Sequence, residues 1–451
     1  MISSLPVSAP RRAGIITLLQ TKPWIAIYVV FTLTALMPEV RRLIDWKTGF
    51  AVVSILSIVP LIALVPFAFI DVMTWFRDIP RTVGVCAWLW FGVFTYSLAV
   101  GFFQVGKLPA LYTYVGFVLP MAFGVWISTL RSDATTLYDR VAGFIFNLTT
   151  PIAVYALIQY TILPAWDAAW MRSANISSMG VAVPFEFRPF GTLNSHGPFA
   201  DWLIFALIVN LPRLSRMRPP AMVQTALMLI VLALTQVRSS WLGLLIGLLV
   251  FVALSPRRIR NLSFIAVSGV IGFVVLSNVS TLLGNATAGN SVFSRFSTLS
   301  DLSHDTSYND RTRYFGTILA NAAERPTGEG LGDIGTASKL GASGATTDFD
   351  NGYVGRFVEM GTLGFLGYAV TLALAFGFSV RYWLRAARLG LEHEAAIGAA
   401  IVATQVVLLF LDIAADHHGG FTGIYFWMTL AFAARVPAGT TEQRLLSRRA
   451  A

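Results

Sequence analysis

Residues 235–250 read TQVRSSWLGLLIGLLV, and their reading decides the fold. They lie in the apolar run Ala221–Leu254, 34 residues in which Arg238 is the one charge. A single helix of that length would be about 51 Å long at 1.5 Å per residue. A bilayer's hydrocarbon core is about 30 Å thick. The run therefore reads as two spans joined by a tight turn, with Ser239 or Ser240 placed to cap the second. Arg238 falls at that turn, level with a membrane face.

The rest of the chain agrees with this. Its 451 residues are 55% hydrophobic and 12% charged, against about 25% charged in a soluble domain. This composition describes an all-α, polytopic membrane protein, one integral membrane domain over 1–451. About twelve transmembrane helices are predicted, near 15–37, 49–70, 82–103, 110–130, 141–163, 197–212, 221–236, 240–254, 262–283, 353–380, 395–411 and 420–434. With both termini cytoplasmic, twenty of the 33 Lys and Arg fall on the short inner segments, led by RLSRMRPP and SPRRIRN. That bias follows the positive-inside rule. The net charge of +10 is then topological and implies no nucleic acid. Arg11 and Arg12 precede the first apolar segment without a small-residue cleavage site, so that segment reads as an uncleaved span. The single cysteine, Cys86, excludes an intramolecular disulfide.

Two outer segments are long, 164–196 and 284–352, the second lying between spans 9 and 10. Within it, DRTRYFGTILANAAE (310–324) places Tyr314, Ile318, Leu319 and Ala322 at helical spacing. A surface helix is predicted there, ended by Pro326 and the glycines of TGEGLGDIG. Gly328, Gly330 and Gly332 do not follow a strand, so a close-packed turn is the better reading than a nucleotide loop.

Four stretches carry a resemblance. They are TQVRSSWLGLLIGLLVF, GTLNSHGPFADWL (191–203), Arg311 and Phe315 with ERPTGEGLG, and DNGYVGRFVEMGTLGFLGY (350–368). In this order over about 190–370 they resemble the O-antigen ligase and Wzy-type polymerase superfamily. The resemblance implies a GT-C-like membrane glycosyltransferase in the bacterial inner membrane. Its donor would be a polyprenyl-diphosphate-linked glycan on the periplasmic side. Ligases pass that glycan to a lipid A core sugar, and polymerases pass it to the next repeat unit of O-antigen or exopolysaccharide. The implied partners are this donor, a glycan or lipid A core acceptor, membrane lipids, and polysaccharide export or chain-length proteins. No cofactor is implied. The family's histidine before the asparagine is Asp350 here, which favours a polymerase, with a ligase as the alternative. A transporter of lipid-linked glycan is the rival of another class. Against it, the Lys and Arg residues sit at span ends rather than at mid-depth.

The chemistry selects the candidate residues. A diphosphate leaving group gathers negative charge, and the guanidinium fork suits its oxygens. Arg238 and Arg311 are the candidate catalytic cations, in a metal-independent reaction. Asp350 is the candidate base, although an aspartate at its ordinary pKa of about 3.9 is a weak one unless buried. Arg313, His196, Asn194 and Asn351 are candidate substrate contacts. So are Arg41 and Arg42, which stand outside against the charge rule. Arg356 and Glu359, three residues apart on one helix face, read either as substrate contacts or as an internal ion pair. DIAADHH (412–418) has metal-ligand residue types, but nothing else in the chain completes such a site.

Overall fold

In the computed structural model the described residues are 21–51, 54–69, 78–174, 176–214, 219–258, 326–340 and 351–435, with positions 260, 263, 266, 267, 269 and 270. Among them the long elements are all helices: α1 (Pro23–Thr48), the short α2 (Val59–Ile62) and α3 (Val65–Phe69), α4 (Arg81–Gln104), α5 (Lys107–Thr129) and α6 (Ala134–Ile162). They continue with α7 (Ala165–Ala174), α8 (His196–Leu214), α9 (Pro219–Thr235), α10 (Arg238–Leu254), α11 (Gly352–Arg388), α12 (Glu392–Leu411) and α13 (Gly420–Ala434). Seven are long and apolar enough to cross a membrane: α1, α4, α5, α6, α8, α11 and α12. Three more, α9, α10 and α13, are apolar but only 15 to 17 residues long. At 1.5 Å per residue they reach about 22–26 Å, short of the hydrocarbon thickness, so flanking polar groups must meet the headgroups.

Helix α8 is the axis of the bundle. It is apolar on all sides and 83% of its span window is buried, as expected of a helix surrounded by others. It packs on α6, α9, α10 and α12. Its buried polar groups consequently need partners, and Asn210 Nδ2 donates to the carbonyls of Ala142 (2.5 Å) and Ala206 (3.0 Å). Around this axis α5 packs on α4 and α13, and α11 packs on α4 and α12.

The turn read from 235–250 is present. Gln236 takes a left-handed conformation (φ 55°) between α9 and α10. The cap of α10 differs from expectation: Val237 is its N-cap without a side-chain bond, and Ser240 instead donates to Asp201 on α8 at 2.9 Å.

Two predicted spans are corrected. The first span is α1, which starts at Pro23 and runs on to Thr48; residues 15–20 lie outside the described residues. The helix continues beyond the predicted end at 37 because Glu39 pairs with Arg42 and Arg41 with Asp45 along it. The predicted span 49–70 is not one helix. It is a 3-10 turn at Ile55–Ser57 followed by α2 and α3. Pro60 and Pro66 lack the amide hydrogens that a continuous helix needs and restrict the residues before them. Most of the predicted span 262–283 and the predicted surface helix at 310–324 lie outside the described residues.

Segment 164–196 is itself folded. It carries α7, a 3-10 turn at Ser177–Met179 and an antiparallel bridge between Gly180 and Phe187. Trp170, Met171, Met179, Phe187 and Phe190 pack with Tyr160 and Leu234 into a small apolar core at that end of the bundle.

Candidate functional site

The loop 412–419 between α12 and α13 is the hub of the end that carries 164–196. Asp412 accepts from the backbone N–H of His417 (2.7 Å) and from Tyr368 Oη (3.3 Å). His418 Nδ1 lies 2.6 Å from the same carboxylate. The carbonyl of Asp412 accepts from the Gly352 N–H at 2.7 Å, which ties the loop to the start of α11. A side chain at Gly352 would strike the backbone of Ala415 and Asp416. His417 Nε2 reaches Asp201 Oδ2 at 3.1 Å and its Nδ1 reaches the Ala415 carbonyl at 2.7 Å. Both ring nitrogens thus face acceptors, which suits the doubly protonated ring. Burial opposes that charge, but Asp201, Asp412 and the carbonyl outweigh it and push His417 up to about 9. The DIAADHH residues are therefore bonded to one another and to α8 and α11.

Arg356 and Glu359, on α11, form the ion pair that their spacing allowed, at 2.5 Å. Glu359 is fully buried, and its Oε1 accepts from the N–H groups of Gly332 (3.0 Å) and Ile334 (3.3 Å). The carbonyls of Val358 and Glu359 accept from Glu329 and Gly330. α11 opens to make this contact: Gly361 is non-helical (φ 63°, ψ −175°). Gly328, Gly330 and Gly332 all have positive φ, and a Cβ on each would overlap backbone of α11, α4 or α5. The glycine stretch is thus a close-packed turn wedged between helices. The other side of Arg356 lies 3.7 Å from Asp416 and over the Phe117 ring (4.8 Å).

Two adjoining cavities open at this end. The first, about 300 Å³, is lined by Asn351, Gly352, Gly355 and Arg356 of the α11 start, by Ile334 and Gly335, and by Tyr112, Phe117 and Asp416. The second, about 270 Å³, is lined by Pro38 and Arg41 of α1, by Ser57, and by Leu193, Asn194 and Pro198. Leu61, Tyr112, Gly420 and Phe421 line both.

Of the predicted site residues, Asn351 and Arg356 line the first cavity, with Glu359 bonded behind Arg356. Arg41 and Asn194 line the second. Arg42 lines neither and, contrary to expectation, is not placed to meet a substrate. It is fully buried and joins Glu39, Asp167 (2.8 Å) and the carbonyls of Gly191 (2.7 Å) and Leu193. That network, completed by Tyr155 and Gln159, pins the stretch 190–194 to α1 and α6. His196 opens α8, 3.3 Å from Arg188. Arg238 opens α10 at the same end, two residues before the Ser240–Asp201–His417 chain. Arg311, Arg313 and Asp350 lie outside the described residues. Sequence reasoning missed Tyr112, Phe421 and the cavity role of Asp416. The available signal was a set of aromatic and acidic residues at predicted outer span ends.

Residues 224–369 match the family described as O-antigen ligase. No curated protein matches the chain. The match covers under half of its length and includes the Arg238 hairpin, the glycine turn and the first half of α11. It indicates ligase or polymerase-type glycan transfer in a multi-pass membrane protein. Lipid-linked glycan and acceptor are the substrate classes that this implies.

Proposed function

We propose that the protein is a metal-independent, GT-C-like glycosyltransferase of the bacterial inner membrane, a Wzy-type polymerase of O-antigen or exopolysaccharide repeat units. Its termini are cytoplasmic and the cavity end faces the periplasm. The observation that carries this reading is the first cavity. The family segment supplies Asn351, Gly352, Gly355 and Arg356 to its wall, beside a carboxylate from Asp416.

In the reaction, an acceptor hydroxyl oxygen attacks the anomeric carbon of the donor sugar. The bond from that carbon to the diphosphate breaks, and the polyprenyl diphosphate leaves. The hydroxyl proton passes to Asp350. Arg238 and Arg311 hold the charge that grows on the leaving diphosphate, and Arg313 serves as a substrate contact. Arg356 is a poor candidate for that task, because Glu359 and Asp416 already balance its charge. It fits better as the residue that orients the cavity wall. Asp350 in place of the family's histidine supports the polymerase over the ligase.

The test is complementation of a strain lacking this chain, comparing wild type with Arg238→Ala at matched membrane levels. Single repeat units left on the carrier support a polymerase. Long chains on the carrier that never reach lipid A core would make it a ligase. Wild-type polysaccharide from Arg238→Ala would remove Arg238 from the chemistry.

A further inference from the structure

We propose that the second cavity is the acceptor-sugar subsite, an inference that rests on the glycosyltransferase reading above. A group transfer needs two reactants within bond-forming reach. The two cavities share the wall formed by Leu61, Tyr112, Gly420 and Phe421, so occupants of the two are neighbours. Among the described residues, the family segment 224–369 contributes to the first cavity and not to the second. The second is built by α1, the turn before α2 and the stretch ahead of α8.

Its lining suits a hydroxyl-bearing ring rather than a phosphate. The charge of Arg41 is balanced by Asp45 at 3.2 Å. Its guanidinium lies over the Trp170 ring (4.8 Å) and near Phe50 (5.9 Å), which fixes its plane. A guanidinium has five N–H donors. Asp45, Ser57 and the Ala51 carbonyl take three of them here, so donors remain for a ligand. Asn194 lines the same cavity, and its Oδ1 has no hydrogen-bond partner among the described residues. A buried amide oxygen without a partner is costly unless a ligand hydroxyl meets it. Its position is also defined: Trp170 Nε1 donates to the Asn194 carbonyl at 3.2 Å, and Arg42 holds the carbonyls of Gly191 and Leu193. A neutral sugar whose hydroxyls meet Asn194 and Arg41, with its ring against Tyr112 or Phe421, fits this set. One of its other hydroxyls then attacks the anomeric carbon in the first cavity, losing its proton to Asp350 as the diphosphate leaves.

The test uses the purified full chain. The donor is the lipid-linked repeat unit isolated from a strain lacking this chain. The varied acceptor is the repeat-unit oligosaccharide released from the carrier by mild acid. Asn194→Ala is expected to raise the acceptor KM about tenfold, the worth of roughly one hydrogen bond, with the donor KM unchanged. Asn194→Asp, which keeps an acceptor oxygen, is expected to stay nearer wild type. An unchanged acceptor KM, or equal rises in both KM values, overturns the subsite. Should Asn194→Ala fail to fold, Ser57→Ala on the same wall carries the same comparison. Absence of any transfer by wild type overturns the glycosyltransferase reading itself, and the subsite with it.

Discussion

His417 Nε2 sits 3.1 Å from Asp201 Oδ2, joining the loop before α13 to the axial helix α8. Asp201 also accepts from Ser240 at 2.9 Å, so one carboxylate holds α8, α10 and the 412–419 loop together. The raised pKa of His417, up to about 9 from 6.5, gives this link a pH dependence. A cation stabilised by folding contributes fully below its unfolded pKa and is lost as pH rises through its folded one. Thermal stability of the detergent-solubilised protein is therefore expected to fall between pH 6.5 and 9. Asp201→Asn should flatten that fall, with its largest cost, about 3–5 kcal/mol for a broken buried pair, below pH 6.5. A wild-type melting point that stays level across the window would remove the ion pair from the stability of the fold.

The glycine turn gives a second, sharper comparison. Gly328, Gly330, Gly332 and Gly335 all have positive φ. At the first three a Cβ would overlap backbone, whereas no described atom lies within 4 Å of one at Gly335. Gly335→Ala should cost only the conformational penalty, about 1–2 kcal/mol. Gly330→Ala must also push the turn away from Gly101 of α4, and should leave little folded protein in size-exclusion profiles. Equal behaviour of the two variants would mean that the turn is not wedged between the helices.

Arg42 is the third test, because its sequence position suggested a substrate contact and its surroundings give a structural one. Arg42→Ala leaves the buried Asp167 and the partly buried Glu39 without their cation. The cost expected is about 3–5 kcal/mol, read as a lower melting point and reduced yield. Tyr155→Phe, which removes hydrogen bonds to the same two carboxylates, should cost less, about 1–3 kcal/mol. A stable Arg42→Ala protein with a raised substrate KM would restore the substrate role.

Much of the fold was legible because apolar length is a local signal. The hairpin at 235–238 came from a run too long for one span and too uncharged for a loop. The spans read at 110–130, 197–212 and 420–434 lie within a few residues of α5, α8 and α13. The segment 38–70 was misread because two effects compete there. Intrahelical ion pairs carry α1 past the apolar run, and Pro60 and Pro66 break the remainder into short helices. In the candidate site, the Arg356–Glu359 pair was visible in its spacing. The contacts of Arg42 with Asp167, of His417 with Asp201 and of Arg356 with Asp416 were not. Their partners lie 60 or more residues apart in the chain, and only the packing of α1, α7, α8, α11 and the 412–419 loop brings them together.

The base is the last test. The proposed base, Asp350, precedes Asn351, whose side chain accepts from the Val354 N–H at 3.0 Å to start α11 at the cavity. Asp350→Asn keeps the size of the side chain and removes its capacity to take a proton. Loss of a general base costs about 10²–10⁴-fold in rate. Asp416 is a carboxylate that lines the first cavity, held 3.7 Å from Arg356. Asp416→Asn removes that pairing but leaves Arg356 its tighter bond to Glu359, so a loss of about tenfold or less is expected, the scale of one charge-assisted contact. Asp350→His should recover activity, with a rate that rises with pH through the ordinary imidazole pKa of about 6.5 as the ring becomes free to accept a proton. The measurement is the single-turnover rate of transfer from the isolated lipid-linked donor across pH. A larger loss from Asp416→Asn than from Asp350→Asn would move the base to the 412–419 loop, which the Asp412, His417 and Gly352 bonds tie to α8 and α11.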